Sequence, residues 1–300
     1  MELFILLSAV AAICWGTSNV IDKVLVSRYI DEPLVTACIG GIGGFLALPP
    51  LMLLVDVGAV TLLTAVSGLV GGAIWVLAFV PYYHAMQQDS ASNNTLFMQS
   101  IPLFVLLFSV IMVGETVSLT QFGGILLFVL GGVLVQWSRP QTAGIDLDRT
   151  AGLIIGASTL FALGDVFLKL AADAAGTWVA YFWVLAGSWI AGLVLYLGHD
   201  GVRSGVRRVV RAPRRTRLDL LVVGRVLYLA GLFGFVYAVT LGPVSISTAV
   251  MNIRPLYVIL LLYGIGQMGW GSFDERFGRA ALVPKLVAAA MFTVAVYMVS

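Results

Sequence analysis

The sequence predicts an all-α integral membrane protein of ten transmembrane helices arranged as two inverted five-helix repeats. Three observations carry this. The chain is 300 residues long, 60% hydrophobic and only 11% charged, with a mean hydropathy of +1.01. A soluble globule carries about 25% charged residues, so the bilayer is the expected solvent. The chain also contains itself twice: Asn19-Val20-Ile21-Asp22-Lys23 returns as Asp165-Val166-Phe167-Leu168-Lys169, and Thr95 to Leu103 returns as Thr248 to Leu256. Finally, the basic residues fall almost wholly in alternate loops.

Continuous apolar runs predict spans near 3 to 22, 33 to 54, 62 to 83, 91 to 113 and 118 to 137 in the first repeat. The second set is expected near 151 to 171, 177 to 197, 219 to 240, 244 to 269 and 281 to 299. The repeats are therefore 1–138 and 151–300, joined by a loop over 139–150. Helices are preferred to a barrel because the runs are unbroken and lack the alternation of barrel strands. Gly40/Gly44, Gly68/Gly72 and Gly152/Gly156 place two small residues on one helix face, which suits close backbone approach. Such faces could also join two protomers, so a homodimer is open. Cys14 and Cys38 lie in apolar runs and read as small buried hydrophobes.

Loop charge sets the orientation. The first, fifth, seventh and ninth loops hold 13 basic residues, including Lys23, Arg28, Arg139, Arg149, Arg276 and Arg279; even-numbered loops and both tails hold none. The positive-inside rule then puts both termini outside, and an odd number of spans per repeat inverts the second copy. The seven arginines of the seventh loop read as a cytoplasmic anchor touching lipid headgroups, in preference to a nucleic-acid surface.

Polar residues inside the spans carry the functional reading. A charge at mid-bilayer costs at least about 2.5 kcal/mol on insertion scales, so each needs a partner or a watery cavity. Arg254 lies near the middle of the ninth predicted span. Its guanidinium either receives a substrate carboxylate or is neutralised internally, with Asp165 the best candidate. Asp165 and Lys169 are four apart and share a helix face, where they either pair or carry a proton or cation. Asn19 takes the corresponding place in the first repeat. Thr95, Met98, Gln99 and Pro102 form a stripe at i, i+3, i+4 and i+7, repeated by Thr248, Met251, Asn252 and Pro255. Each stripe combines hydrogen-bonding groups with a proline that frees a backbone carbonyl. Trp15, Tyr83 and Tyr237 are the aromatics that repeat matching places best for contact with substrate. Arg225, close to the cytoplasmic end of its span, reads as a snorkelling anchor.

No zinc-protease, serine-hydrolase or phosphate-loop motif and no Cys/His cluster occurs, so the sequence offers no catalytic constellation and no cofactor site. The expectation is a carrier in a plasma or inner membrane, not an enzyme.

Trp15-Gly16 with Asn19 and Lys23, Pro102, Gly114-Glu115-Thr116 leading to Gln121-Phe122-Gly123-Gly124, and Gly131-Gly132 mark the first repeat. Lys169, Gly242-Pro243, Pro255 and Asp274-Glu275-Arg276-Phe277 mark the second. In this order they resemble the EamA-type branch of the drug/metabolite transporter superfamily. The resemblance implies ten helices in inverted halves around a central cavity, and secondary transport, often outward, of small organic solutes such as amino acids or their derivatives. It also implies cytoplasmic termini, against which the loop charges of this chain argue. Substrate-binding residues are then expected to be Arg254, Asn252, Gln99, Trp15, Asn19, Tyr83, Tyr237, Thr95 and Thr248, with Asp165 and Lys169 in proton or cation coupling. The alternative is a carrier for organic or quaternary ammonium cations that uses Asp165 and an aromatic cage.

Overall fold

A computed structural model describes residues 2–28, 32–55, 60–88, 98–137, 147–211, 215–267 and 279–300, and among them there is helix and no strand. Helix α1 (Leu3–Arg28) opens the chain. The second apolar run is not one rod: α2 (Pro33–Gly43) passes through a 3-10 turn (Gly44–Ala47) into α3 (Leu48–Met52). Pro49 and Pro50 explain the break, because neither can donate to the carbonyl one turn earlier. Helix α4 (Leu62–Gln88) follows, then α5 (Ile101–Met112) and α6 (Leu119–Trp137). The first part of the run expected from residue 91 lies outside the described residues.

The predicted spans over 151 to 171 and 177 to 197 appear as one long element, α7 (Leu147–Gly198), turned at Gly176. Gly176 has φ 78°, in the region that glycine enters without a Cβ clash. The arginine-rich loop contains a helix that no span prediction included, α8 (Asp200–Arg211). Its Val202, Gly205 and Val209 are buried against the Leu25 and Val35 region of α1 and α2, leaving arginines on the other face. Helix α9 (Arg215–Leu241) leads to another interrupted run: α10 (Val244–Val250), a 3-10 turn (Met251–Ile253) and α11 (Arg254–Gln267). Pro255 makes this break, as its stripe position anticipates. Helix α12 (Arg279–Val299) closes the chain.

Among the described residues five stretches are long and apolar enough to cross a bilayer, one of them the bent α7, and shorter apolar helices accompany them. Large apolar side chains such as Leu53, Leu62, Leu119 and Tyr297 are exposed, as suits a surface facing lipid.

Glycine decides the closest contacts. Helices α4 and α7 touch backbone to backbone: a Cβ on Gly72 would lie 2.0 Å from the Val184 carbonyl oxygen, and one on Gly187 2.1 Å from that of Leu69. Ser188 Oγ donates to the Gly72 carbonyl at 3.1 Å across the seam. Gly41 of α2 and Gly44 of the turn after it face α7, while Gly40 faces Arg225, so the predicted Gly40/Gly44 pair is split between two partners. Among the described residues Gly152 and Gly156 have nothing within 4 Å of their Cβ positions and make no tight helix contact.

Helices α1 and α9 pack through Trp15, which donates to the Tyr228 carbonyl at 3.1 Å, and through Ser18, which donates to that of Gly224 at 3.1 Å. Glu115, in the turn after α5, accepts from the backbone amides of Val244 (2.5 Å) and Ser245 (3.3 Å) and from Ser245 Oγ (2.7 Å). It therefore satisfies orphan donors at the start of α10, a helix of the other half.

Candidate functional site

The site grows from one face of α1. Ala12, Trp15, Asn19 and Asp22 follow the helical spacing that puts them on one side. The Trp15 ring meets Trp75 of α4 at 5.7 Å, edge to face, and stacks on Tyr228 of α9 at 6.2 Å and 27°. Phe235 closes the group at 5.4 Å from Trp15. Gly16 beside it admits α11: a Cβ there would fall 2.8 Å from the Tyr257 ring and 3.3 Å from Arg254 Cγ. The Trp-Gly pair thus combines a large ring with a gap that brings the arginine over it.

Arg254 is the first residue of α11, set at the helix break. Its guanidinium carbon stands 5.3 Å from the centre of the Trp15 ring, a cation–π placement. Its Nε is buried and donates to nothing among the described residues. Asp165 and Tyr82 lie within electrostatic reach. Even so, Arg254 and Asp165 do not close into an ion pair. Asp165, 6% exposed, instead accepts from Thr248 Oγ1 at 3.1 Å, and the Trp75 indole N–H lies between it and the Phe161 carbonyl. A cation and an anion therefore stand apart across an aromatic floor, each able to receive an opposite charge.

Several expected site residues join this group and others do not. Thr248 reaches it through Asp165. Tyr83 is buried, stacks on Phe79 at 5.5 Å, and lies within electrostatic reach of Asp22 and Arg225. Asn19 is exposed one turn beyond Trp15 on the same face. Asn252 donates to the Gln99 backbone carbonyl at 3.2 Å, so these two amide residues tie the α10/α11 break to the chain just before α5. Gln99 is buried against Gly132, where a Cβ would lie 2.2 Å from its Oε1. Thr95 lies outside the described residues.

Two expectations are corrected. Lys169 forms its ion pair with a residue other than Asp165. It forms an ion pair with Asp173 at 2.7 Å and donates to the carbonyls of Val239 (2.8 Å) and Gly242 (3.2 Å), capping the C-terminal end of α9. Tyr237 is 38% exposed and touches Phe233, in a cluster with Trp178 and Tyr181. The face of α9 that meets Trp15 is Tyr228, Gly231 and Phe235; two residues beyond Phe235, the helix has turned about 200° away.

Sequence reasoning underrated Arg225 and passed over Asp22. Arg225 does not snorkel outward. Its stem fills the notch at Gly43, its NH1 donates to the Gly40 carbonyl at 3.3 Å, and its guanidinium lies 5.1 Å from the Tyr228 ring centre. The signal was a pair of α2 glycines opposite one long cation, which spacing within either helix does not reveal. Among the described residues no group of three His, Cys, Asp or Glu side chains could hold a metal.

Residues 3–137 match the EamA-like transporter family. The first half of the chain is thus similar to that family. The match contains the Trp15-Gly16 pair, Gln99, the Pro102 break and Glu115, and the family is one of membrane transporters of small molecules. No curated protein sequence matches the chain. A solved crystal structure, described only as that of a protein, shares 17% sequence identity with a TM-score of 0.73, covering 99% of this chain and 97% of that one. At that identity the likeness is one of fold alone. The shared fold takes in α7 to α12 as well as the stretch that the family match covers.

Proposed function

We propose that this EamA-like chain is a secondary transporter, an exporter or exchanger of small organic metabolites such as amino acids or their derivatives, working by alternating access between two inverted five-helix repeats. The repeats are 1–138 and 151–300, and the binding site lies where they meet. One observation carries the reading: Arg254 is a half-buried cation on an aromatic floor, with a buried, unused Nε and no ion pair among the described residues. A carboxylate of the substrate supplies what the protein does not. Trp15, Trp75 and Tyr82 enclose its apolar part, Asn19 and Tyr83 line the approach, and Asp165 offers a place for an ammonium group, a proton or a cation. Gln99, Asn252 and Thr248 act by holding the helix breaks and Asp165 in place. Tyr237, packed on Phe233, and Lys169, capping α9, act in this reading as packing residues.

The test is charge movement on a solid-supported membrane coated with proteoliposomes, against amino acids, organic anions and quaternary ammoniums, with and without a pH gradient. Currents to amino acids or organic anions are expected. Currents confined to quaternary ammoniums would replace this reading with the cation carrier centred on Asp165.

The loop charges favour outward-facing termini in the plasma or inner membrane. A fusion that fluoresces only in the cytoplasm should stay dark at the C-terminus and light up when placed in the loop that carries α8; the reverse result would invert the topology.

A further inference from the structure

Lys169 shows what a structural cation looks like inside this protein. All its strong contacts lie between 2.7 and 3.2 Å: one carboxylate and two carbonyls at a helix end. Arg225 is held quite differently. Its side chain is only 12% exposed, yet its carboxylate partner, Asp22, stands 3.9 Å away and its one hydrogen bond among the described residues, to the Gly40 carbonyl, is 3.3 Å long. Its Nε is buried and, like that of Arg254, donates to nothing among the described residues. Burying a guanidinium this loosely is costly.

The two loosely held arginines are also joined. Arg254 lies over Trp15, Trp15 stacks on Tyr228, and Arg225 lies over Tyr228. Two guanidiniums thus sit at the ends of one stacked aromatic pair that spans α1 and α9. Arg225 belongs to the part of α9 nearer its arginine-rich N-terminal end, and Asp22 to the part of α1 nearer Arg28, so this end of the stack points toward the side where basic residues gather. The glycines at 40 and 43 open the space that the Arg225 stem fills.

We infer that Arg225 is a second carboxylate-binding station on the same path, where the substrate carboxylate displaces Asp22 before or after it occupies Arg254. This rests on the reading that Arg254 holds an anionic group, and it narrows the substrate class to organic carboxylates. Asp22 serves as the internal stand-in that keeps Arg225 neutralised while the station is empty. Tyr83 and Tyr228 flank the exchange.

The two partners therefore have opposite effects, which a merely structural ion pair would not give. In proteoliposomes of the full chain, with L-glutamate, succinate and glycine as probes, Asp22→Asn removes a competitor and lowers the half-saturating concentration several-fold. Arg225→Gln raises it about tenfold or more, the scale of one lost charge-assisted contact. The double variant behaves like Arg225→Gln, because the gain from Asp22→Asn acts through the arginine. An unchanged or raised half-saturation in Asp22→Asn overturns the proposal, and that variant alone decides the matter should Arg225→Gln fail to fold. If Arg225→Gln matches wild type while Arg254→Gln abolishes the response, the second station falls and the Arg254 reading stands. If Arg254→Gln also matches wild type, or no probe gives a wild-type response, both fall.

Discussion

Replacing Arg254 with alanine is expected to abolish carboxylate-evoked current while the protein remains monodisperse in detergent. The two halves of this expectation come from different contacts. Binding suffers because the guanidinium is the charged donor nearest the Trp15 floor; losing about 3 kcal/mol of charge-assisted hydrogen bonding weakens binding on the order of a hundredfold. Folding survives because no described carboxylate depends on Arg254 for an ion pair: Asp165 has Thr248 and the Trp75 indole instead. Removing one member of a closed buried pair would leave an orphaned charge and cost about 3–5 kcal/mol. Gel filtration and the transport assay together check the prediction. An aggregated variant would show that Arg254 neutralises a group inside the protein, and a monodisperse variant with wild-type currents would remove it from the path.

The largest effect on stability is expected from a single methyl group. In Gly72→Ala the new Cβ lies 2.0 Å from the Val184 carbonyl oxygen and 2.8 Å from the Ser188 amide nitrogen, both backbone atoms that cannot rotate aside. Helices α4 and α7 must separate, which breaks the Ser188 bond to the Gly72 carbonyl and opens the seam where Gly68 meets Trp183. Overpacking costs about 1–3 kcal/mol where side chains can yield, and a backbone clash lies at or above the top of that range. Gly156→Ala is the matched control. It stands on α7 with open space around its Cβ position, so alanine's better helix propensity should leave stability unchanged or raise it by up to about 1 kcal/mol. Thermal unfolding in one detergent compares the two; equal melting temperatures would refute the packing account.

How much of this was legible in the sequence follows from the range of each force. Spans were readable because lipid solvation acts on every residue of a run, so α1, α4 and α9 lie close to their apolar stretches. The break before Arg254 was readable too, since Pro255 removes a backbone donor wherever it sits. The break inside the second span went unread although Pro49 and Pro50 were visible, because the apolar run continues through them. Helix α8 went unread because its arginines dominate the composition, while its apolar face, Val202, Val206 and Val209, is narrow. Pairing was the least legible. Lys169 and Asp165 share a face by spacing, but so do Lys169 and Asp173 one turn further on, and the choice falls to the carbonyls ending α9, which only tertiary packing brings near. Trp15 and Arg254 were each singled out from the sequence. That one lies over the other depends on Gly16, whose missing side chain acts on a helix more than two hundred residues away.

Glu115 has a consequence for biosynthesis. The amides it serves, at Val244 and Ser245, emerge from the ribosome long after it does, and the α4 seam likewise waits for α7. The first half therefore enters the bilayer with a bare glycine face and an unmatched carboxylate, and resembles an unfinished lock more than a free-standing unit. Helices α4 and α10 each take a partner from the opposite half of the chain, so maturation is a single event that only the later half can complete.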